Sequence, residues 1–229
     1  MNIIKVYADF TQENGIDYRK KTLLQINGGT KLLGSAVLIN PGSAKPLSDN
    51  CDETFICEFF KTNHAEKPND IKNWKEFSVD PTMHQLVKIF DGTYATGSPI
   101  KLEGVIQLFN CFYIKEQDLK EAEIKYKEQQ KTNGSKTQTQ TEGFTFQEGH
   151  YFKNKPVYFG WGNSGKTGFV KNTAKDTFTN YAPIHAMLYD TQFEKNPFYH
   201  PRYVHLKHAN IEQVKQHAVR FFDVVKKTL

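Results

Sequence analysis

Arginine is scarce in this chain. Of 30 basic residues, only Arg19, Arg202 and Arg220 are arginine. Lysine attracts phosphate as a point charge, whereas arginine reads guanine through a planar fork. Any contact to DNA should therefore fall mostly on the backbone. Cysteine is scarce too: Cys51, Cys57 and Cys111 form no CxxC pair and leave one unpaired in any disulfide scheme. That excludes a disulfide framework, and an iron–sulfur cluster wanting about four thiolates is disfavoured. Buried thiols in a reducing compartment fit instead. No apolar run is long enough to span a bilayer and no signal peptide is evident. The expectation is a cytoplasmic protein without a membrane partner.

Aromatic residues are plentiful, with 18 Phe and 11 Tyr. At 229 residues the chain suits a single domain, 1–229, with an aromatic-rich core. The formal charge of +5 and pI of about 8.9 permit an anionic partner without requiring one.

The chain is organised around Gly34-Ser-Ala-Val-Leu-Ile-Asn-Pro-Gly-Ser-Ala44. Ala36 to Ile39 reads as a buried strand, too short for a helix and closed by turn residues. Asn40-Pro41-Gly42 ends it, because Pro fixes φ and Gly tolerates positive φ. Two later stretches repeat the pattern, Val105 to Asn110 and Val157 to Asn163. Three apolar strands thus each deliver an Asn toward one rim, where open α/β sheets bind ligands.

In chain order, residues 1–33 suggest an N-terminal hairpin laid against the main sheet, with Asn27-Gly28-Gly29 as a turn. Thr54 to Phe60 is aromatic and reads as a strand, and 61–76 as a loop. Asp80-Pro81-Thr82 opens a helix: Asp80 can cap, Pro81 suits the first helical position, and Met83, Leu86, Val87 and Phe90 make one apolar face. Asp91-Gly92 ends it. Residues 116–142 read as an insertion, half charged helix and half disordered polar tract. Ile211 to Val225 closes the chain as an amphipathic helix.

Gly160-Trp-Gly-Asn-Ser-Gly-Lys-Thr167 satisfies the P-loop expression GxxxxGK[ST], in which amides cradle phosphates and the Lys reaches them. A nucleotide triphosphatase would follow. Three features count against it: Gly168 and the polar Asn172-Thr173 begin the following helix poorly, little chain remains for a nucleotide-binding sheet, and Trp161 would crowd the phosphate.

Four stretches, Asn40-Pro-Gly-Ser-Ala44, Asp80-Pro-Thr82, Trp161-Gly-Asn163 and His200-Pro-Arg-Tyr203, resemble in order and spacing a bacterial and phage family described as a domain of unknown function. Its pattern runs Asn-Pro-Ser-x-Ala, Asp-Pro-Thr, Trp-Gly-Asn, His-Pro-Leu-Tyr. The same points resemble the uracil-DNA glycosylase superfamily. Asn40-Pro41-Gly42 looks like the first motif of its mismatch-specific thymine/uracil branch, and Leu108-Phe109-Asn110 like the strand that reads the pyrimidine edge. Val157 to Asn163 looks like its Trp-Gly strand, and His200-Pro201 like the motif on its DNA-inserting loop. The resemblance implies a three-layer α/β/α sandwich with a central mostly parallel sheet, and a pocket for one flipped nucleotide. Position 40 is Asn where the efficient uracil enzymes carry Asp, and Arg202-Tyr203 replace Ser-Pro. A mismatched or hypermodified pyrimidine, such as glucosylated hydroxymethylcytosine in phage defence, fits as well as uracil.

On this reading the protein is a monomeric DNA N-glycosylase that leaves an abasic site and needs neither metal nor cofactor. Breaking a C1′–N bond requires a positioned water, hydrogen bonds that strengthen on the leaving base, and base flipping. Asn40 would orient the water, Asn110 would pair with the pyrimidine edge and His200 would donate to a base carbonyl. Asp80 is either a helix cap or an added base. Phe55, Phe59 and Phe77 compete to stack on the base, with Trp161 and Asn163 also near it. Arg202, Tyr203 or His205 would fill the hole left in the duplex, while Ser43, Ser164 and Lys166 would hold phosphates. Each residue also has a plain structural role open to it, as turn former, loop ligand or core packing. A non-catalytic nucleic-acid or nucleotide-binding module is the alternative.

Overall fold

The two longest strands, β1 (Ile4–Glu13) and β2 (Ile16–Ile26), meet at Asn14 and Gly15, whose φ values are 50° and 74°. Two successive positive φ values match the twist of the paired strands, so this dipeptide makes a tight hairpin. The computed structural model describes residues 2–42, 44–68, 70–132, 151–152, 155–181, 188–204 and 210–229. The other strands are β3 (Leu32–Leu38), β4 (Pro46–Ser48), β5 (Trp74–Phe77), β6 (Gly104–Asn110) and β7 (Val157–Phe159). They form one seven-stranded sheet in the order β4-β5-β1-β2-β6-β3-β7.

The fold is mixed α/β, but the sheet is not mostly parallel. Among the described residues only β3 pairs in parallel fashion, with β6 and β7; the β1–β2, β1–β5, β2–β6 and β4–β5 pairs are antiparallel. The physical reason is the hairpin. A two-residue connection can only return antiparallel, and β2 then enters the centre of the sheet beside β6 rather than lying against its edge. The three strands that end near Asn40, Asn110 and Asn163 are nevertheless adjacent and parallel, so their carboxyl ends point the same way.

Helices cover both faces. On one face α2 (Pro81–Phe90) packs on α6 (Ile211–Lys226), with the Phe90 and Phe221 rings 5.0 Å apart. On the other, α1 (Glu53–His64) sets Phe55 5.2 Å from Tyr7 of β1, and α5 (Lys171–Tyr181) sets Phe178 5.7 Å from Phe159 of β7. Short α3 (Thr93–Thr96) follows α2, and α4 (Leu119–Thr132) follows β6. Among the described residues, no helix is long and apolar enough to cross a membrane.

Helix α2 forms as its sequence dictates. Asp80 accepts a hydrogen bond from the Met83 amide at 2.9 Å, and Met83, Leu86, Val87 and Phe90 are all buried. The closing helix forms too, burying Val214, Ala218, Phe221, Phe222 and Val225. At 54–76 one expectation fails and the next holds only in part. Thr54 to Phe60 is helix rather than strand, because Asp52 caps the Phe55 amide and Phe55, Ile56, Phe59 and Phe60 fall on one helical stripe. Of residues 61–76, 61–64 complete that helix, Ile71–Asn73 make a short 3-10 turn and 74–76 begin β5, which leaves the expected loop at 65–68 and 70. Of the 116–142 insertion, the helical part is α4; residues 133–150 lie outside the described residues.

Candidate functional site

Where the parallel strands end, a cavity of about 240 Å³ opens beside the start of α2. Asn40, Pro41 and Gly42 line it from the loop after β3, Asn110 from the end of β6, Asp80 from the cap of α2, and His200 with Arg202 from the loop before α6. These seven residues come from four separate parts of the chain. Leu38, Leu108 and Met83 supply its apolar walls.

Hydrogen bonds fix the polar groups. Asn40 donates its Nδ2–H to the Glu116 carbonyl, which leaves its Oδ1 as the acceptor. The Asp80 carboxylate divides its two oxygens: Oδ1 caps the Met83 amide, while Oδ2 lies beside Gly42, 3.7 Å from where a Cβ there would sit. Gly42 holds φ at 69°, a conformation other residues seldom adopt, so glycine is what lets the loop turn here. Asp80 is thus a helix cap that also turns an oxygen toward the cavity.

His200 is half-buried and accepts from the Arg202 amide at Nδ1, over 3.3 Å. Burial, reinforced by the Arg202 charge, pushes its pKa down to about 4. At neutral pH the ring is uncharged, and with Nδ1 accepting, the proton sits on Nε2 as a hydrogen-bond donor. A second histidine, His217 in α6, is likewise held near 4 by burial and by Arg220, and neither of its ring nitrogens has a hydrogen-bond partner among the described residues.

Both depressed values bear on stability. The unfolded chain takes up these protons near pH 6.5, the folded chain only near 4. Stability is therefore full above about pH 6.5 and falls as the pH drops toward 4, by up to roughly 3 kcal/mol for each histidine. His217→Leu should remove about half of that fall and leave neutral-pH stability equal or higher. Urea unfolding between pH 4 and 7.5 checks both statements.

The site residue that the sequence does not single out is Arg19. It is 3% exposed, lines the cavity, and donates through Nη2 to the Pro41 carbonyl. Its Nε and Nη1 have no hydrogen-bond partner among the described residues, and its guanidinium lies 5.5 Å from the Phe77 ring centroid. Burial lowers its pKa to about 10 against an opposing pull from Asp80, so it stays cationic. A β-bulge places it there. The register passes from Ala8↔Thr22 to Phe10↔Arg19, so β2 gains one residue over β1 and its inside–outside alternation flips. Arg19 thereby joins the face occupied by Phe77 and Leu108.

The remaining predicted residues lie elsewhere. Phe55, Phe59 and Phe77 are core residues, and only Phe77 approaches the cavity, from behind Arg19. Among the described residues no Phe, Tyr or Trp side chain lines the cavity, whose apolar walls are Leu38, Leu108 and Met83. Trp161 is 1% exposed, its ring 4.9 Å from those of Phe159 and Phe198. Asn163 and Ser164 are exposed in a short turn outside the cavity, so two of the three strand-end asparagines share a rim and the third does not. Tyr203 packs against Gly162, its ring 5.8 Å from His200. Ser43 and His205 lie outside the described residues.

The P-loop match does not build a phosphate cradle. The Trp161 indole fills the loop against Gly165, Lys166 donates to the Glu194 carbonyl at 2.8 Å, and the next helix begins only at Lys171. A larger cavity of about 410 Å³ is lined by Asn27, His84 and Asp91. Asn27 is committed there to Asn2 and the Leu102 carbonyl, and Asp91 to Thr93, whereas the smaller cavity holds Arg19, whose Nε and Nη1 are buried without a partner among the described residues.

No protein-family model, no curated protein and no solved structure matches this chain.

Proposed function

We propose that the protein is a DNA N-glycosylase that flips out a modified or mismatched pyrimidine nucleotide and hydrolyses its C1′–N bond. One observation carries this reading: Asn40, Asp80, Asn110 and His200, distant in sequence, line one small cavity at the ends of parallel strands. The resemblance of their motifs to the uracil-DNA glycosylase superfamily supports it. A volume of about 240 Å³ suits a single base better than a larger ligand.

Each residue has a task that its environment suits. Water attacks C1′ as the C1′–N pair leaves with the base. The Asn40 carbonyl oxygen and Asp80 Oδ2 orient that water, and the Asp80 carboxylate takes its proton. Neutral His200 donates through Nε2–H to the base carbonyl, where negative charge grows in the transition state. Asn110 presents both a donor and an acceptor to the pyrimidine edge. Arg202, exposed at the rim, faces the DNA backbone.

The double role of Asp80 gives a clean test. Asn also caps helices well, and both variants lose the charge that acts on Arg19, so Asp80→Asn should be more stable than Asp80→Ala by about 1 kcal/mol, the value of the cap. Base release should fall at least ~100-fold in both variants, since both lack the carboxylate. Full release by Asp80→Asn would reduce Asp80 to a cap.

A further inference from the structure

Arg19 is not needed to complete the excision chemistry, and among the described residues most of its guanidinium N–H groups have no hydrogen-bond partner. We infer that Arg19 is the seat of an anionic oxygen group on the ligand, a carboxylate or a phosphate. The inference rests on this cavity being the one that receives the nucleotide.

A guanidinium removed from water requires partners for its N–H groups as well as a counter-charge. Here Nη2 donates to the Pro41 carbonyl, while Nε and Nη1 have no partner among the described residues. Asp80 acts on Arg19 through space, but its Oδ1 is committed to Met83. The Phe77 ring backs the guanidinium from within the core. Arginine forms strong charge-assisted bonds to oxyanions, and in a site screened from solvent they discriminate sharply against neutral analogues. The bulge that brings Arg19 to this face interrupts an otherwise regular ladder, as bulges that re-aim a functional side chain do.

Two sources present such a group: a carboxylate carried on the base itself, or the phosphate of the flipped nucleotide. Calorimetric titration of the full chain at pH 7.5 with two matched pairs separates them, uracil against 5-carboxyuracil and thymidine against thymidine 5′-phosphate. One charged member should bind about tenfold or more tightly than its neutral counterpart, and the responding pair names the source. Arg19→Met should abolish the preference. Equal binding within both pairs, or a preference that survives Arg19→Met, would overturn the inference. Should Arg19→Met not fold, the wild type still decides, because with only three arginines its Nε–H signals can be assigned by NMR. The Arg19 Nε–H signal must shift on adding the preferred anion, and an unmoved signal refutes the assignment. Anion preference without any released base would spare Arg19 and remove the excision chemistry. Released base without anion preference would do the reverse.

Discussion

His200→Ala should release base ~10²- to 10³-fold more slowly than the wild type, the usual cost of removing one donor aimed at developing negative charge. The loss should appear in the single-turnover rate rather than in DNA affinity, because the bond strengthens only as the C1′–N bond breaks. The state of the ring makes the prediction sharper. His200 is neutral with its proton on Nε2, so an amide N–H can partly replace it, and His200→Gln should recover part of the rate that Ala loses. The acid limb of the wild-type rate should also fall near pH 4 rather than 6.5 where it reports this ring. If His200→Gln were as slow as His200→Ala and the rate fell as the pH rose through about 6.5, a cationic histidine would be at work instead.

Phe90→Ala should lower stability by ~3–5 kcal/mol, read from urea unfolding at neutral pH. The ring is fully buried at the end of α2, against Phe221 of α6 and close to Gly34 of β3. Gly34 is itself constrained, since a Cβ there would stand 2.6 Å from the Pro156 carbonyl and 2.7 Å from the Phe90 ring. Removing the ring therefore loosens the contact between the helix that carries Asp80 and the strand that leads to Asn40. A loss of that size is a large part of a typical domain's stability. Activity should then track the folded fraction, in contrast with His200→Ala, which should remain folded and slow. A change below about 1 kcal/mol would mean that α2 is held mainly by other contacts.

The parts of this fold that were legible in the sequence are those whose signals are local. Asp80-Pro81 announces the start of α2 because a cap and a helix-tolerant proline act within one turn. The apolar runs before Asn40 and Asn110 are strands because both faces are covered, which leaves no alternation to misread. Helix α1 was misread because Phe and Ile favour strands in isolation, and only the Asp52 cap and the stripe of Phe55, Ile56, Phe59 and Phe60 reveal the helix. Asn163 was expected on the rim by analogy with Asn40, but the positive φ of Gly162 (61°) turns the chain away after β7.

Arg19 could not be placed from the sequence, because the bulge in β2 depends on pairing with β1 and no residue within β2 announces it. The one signal in the sequence is the scarcity of arginine in a lysine-rich chain; that two of the three, Arg19 and Arg202, line the same cavity shows only in the fold.

The central claim is best tested by alkaline strand cleavage of labelled oligonucleotides, single and double stranded. They would carry uracil, a G·T mismatch, hydroxymethylcytosine, glucosylated hydroxymethylcytosine or 5-carboxycytosine, each incubated with wild type and with Asn40→Ala. The account predicts alkali-labile sites at one of these bases with the wild type, and at least ~100-fold fewer with Asn40→Ala. Intact strands on every substrate, or equal cleavage by both proteins, would contradict it.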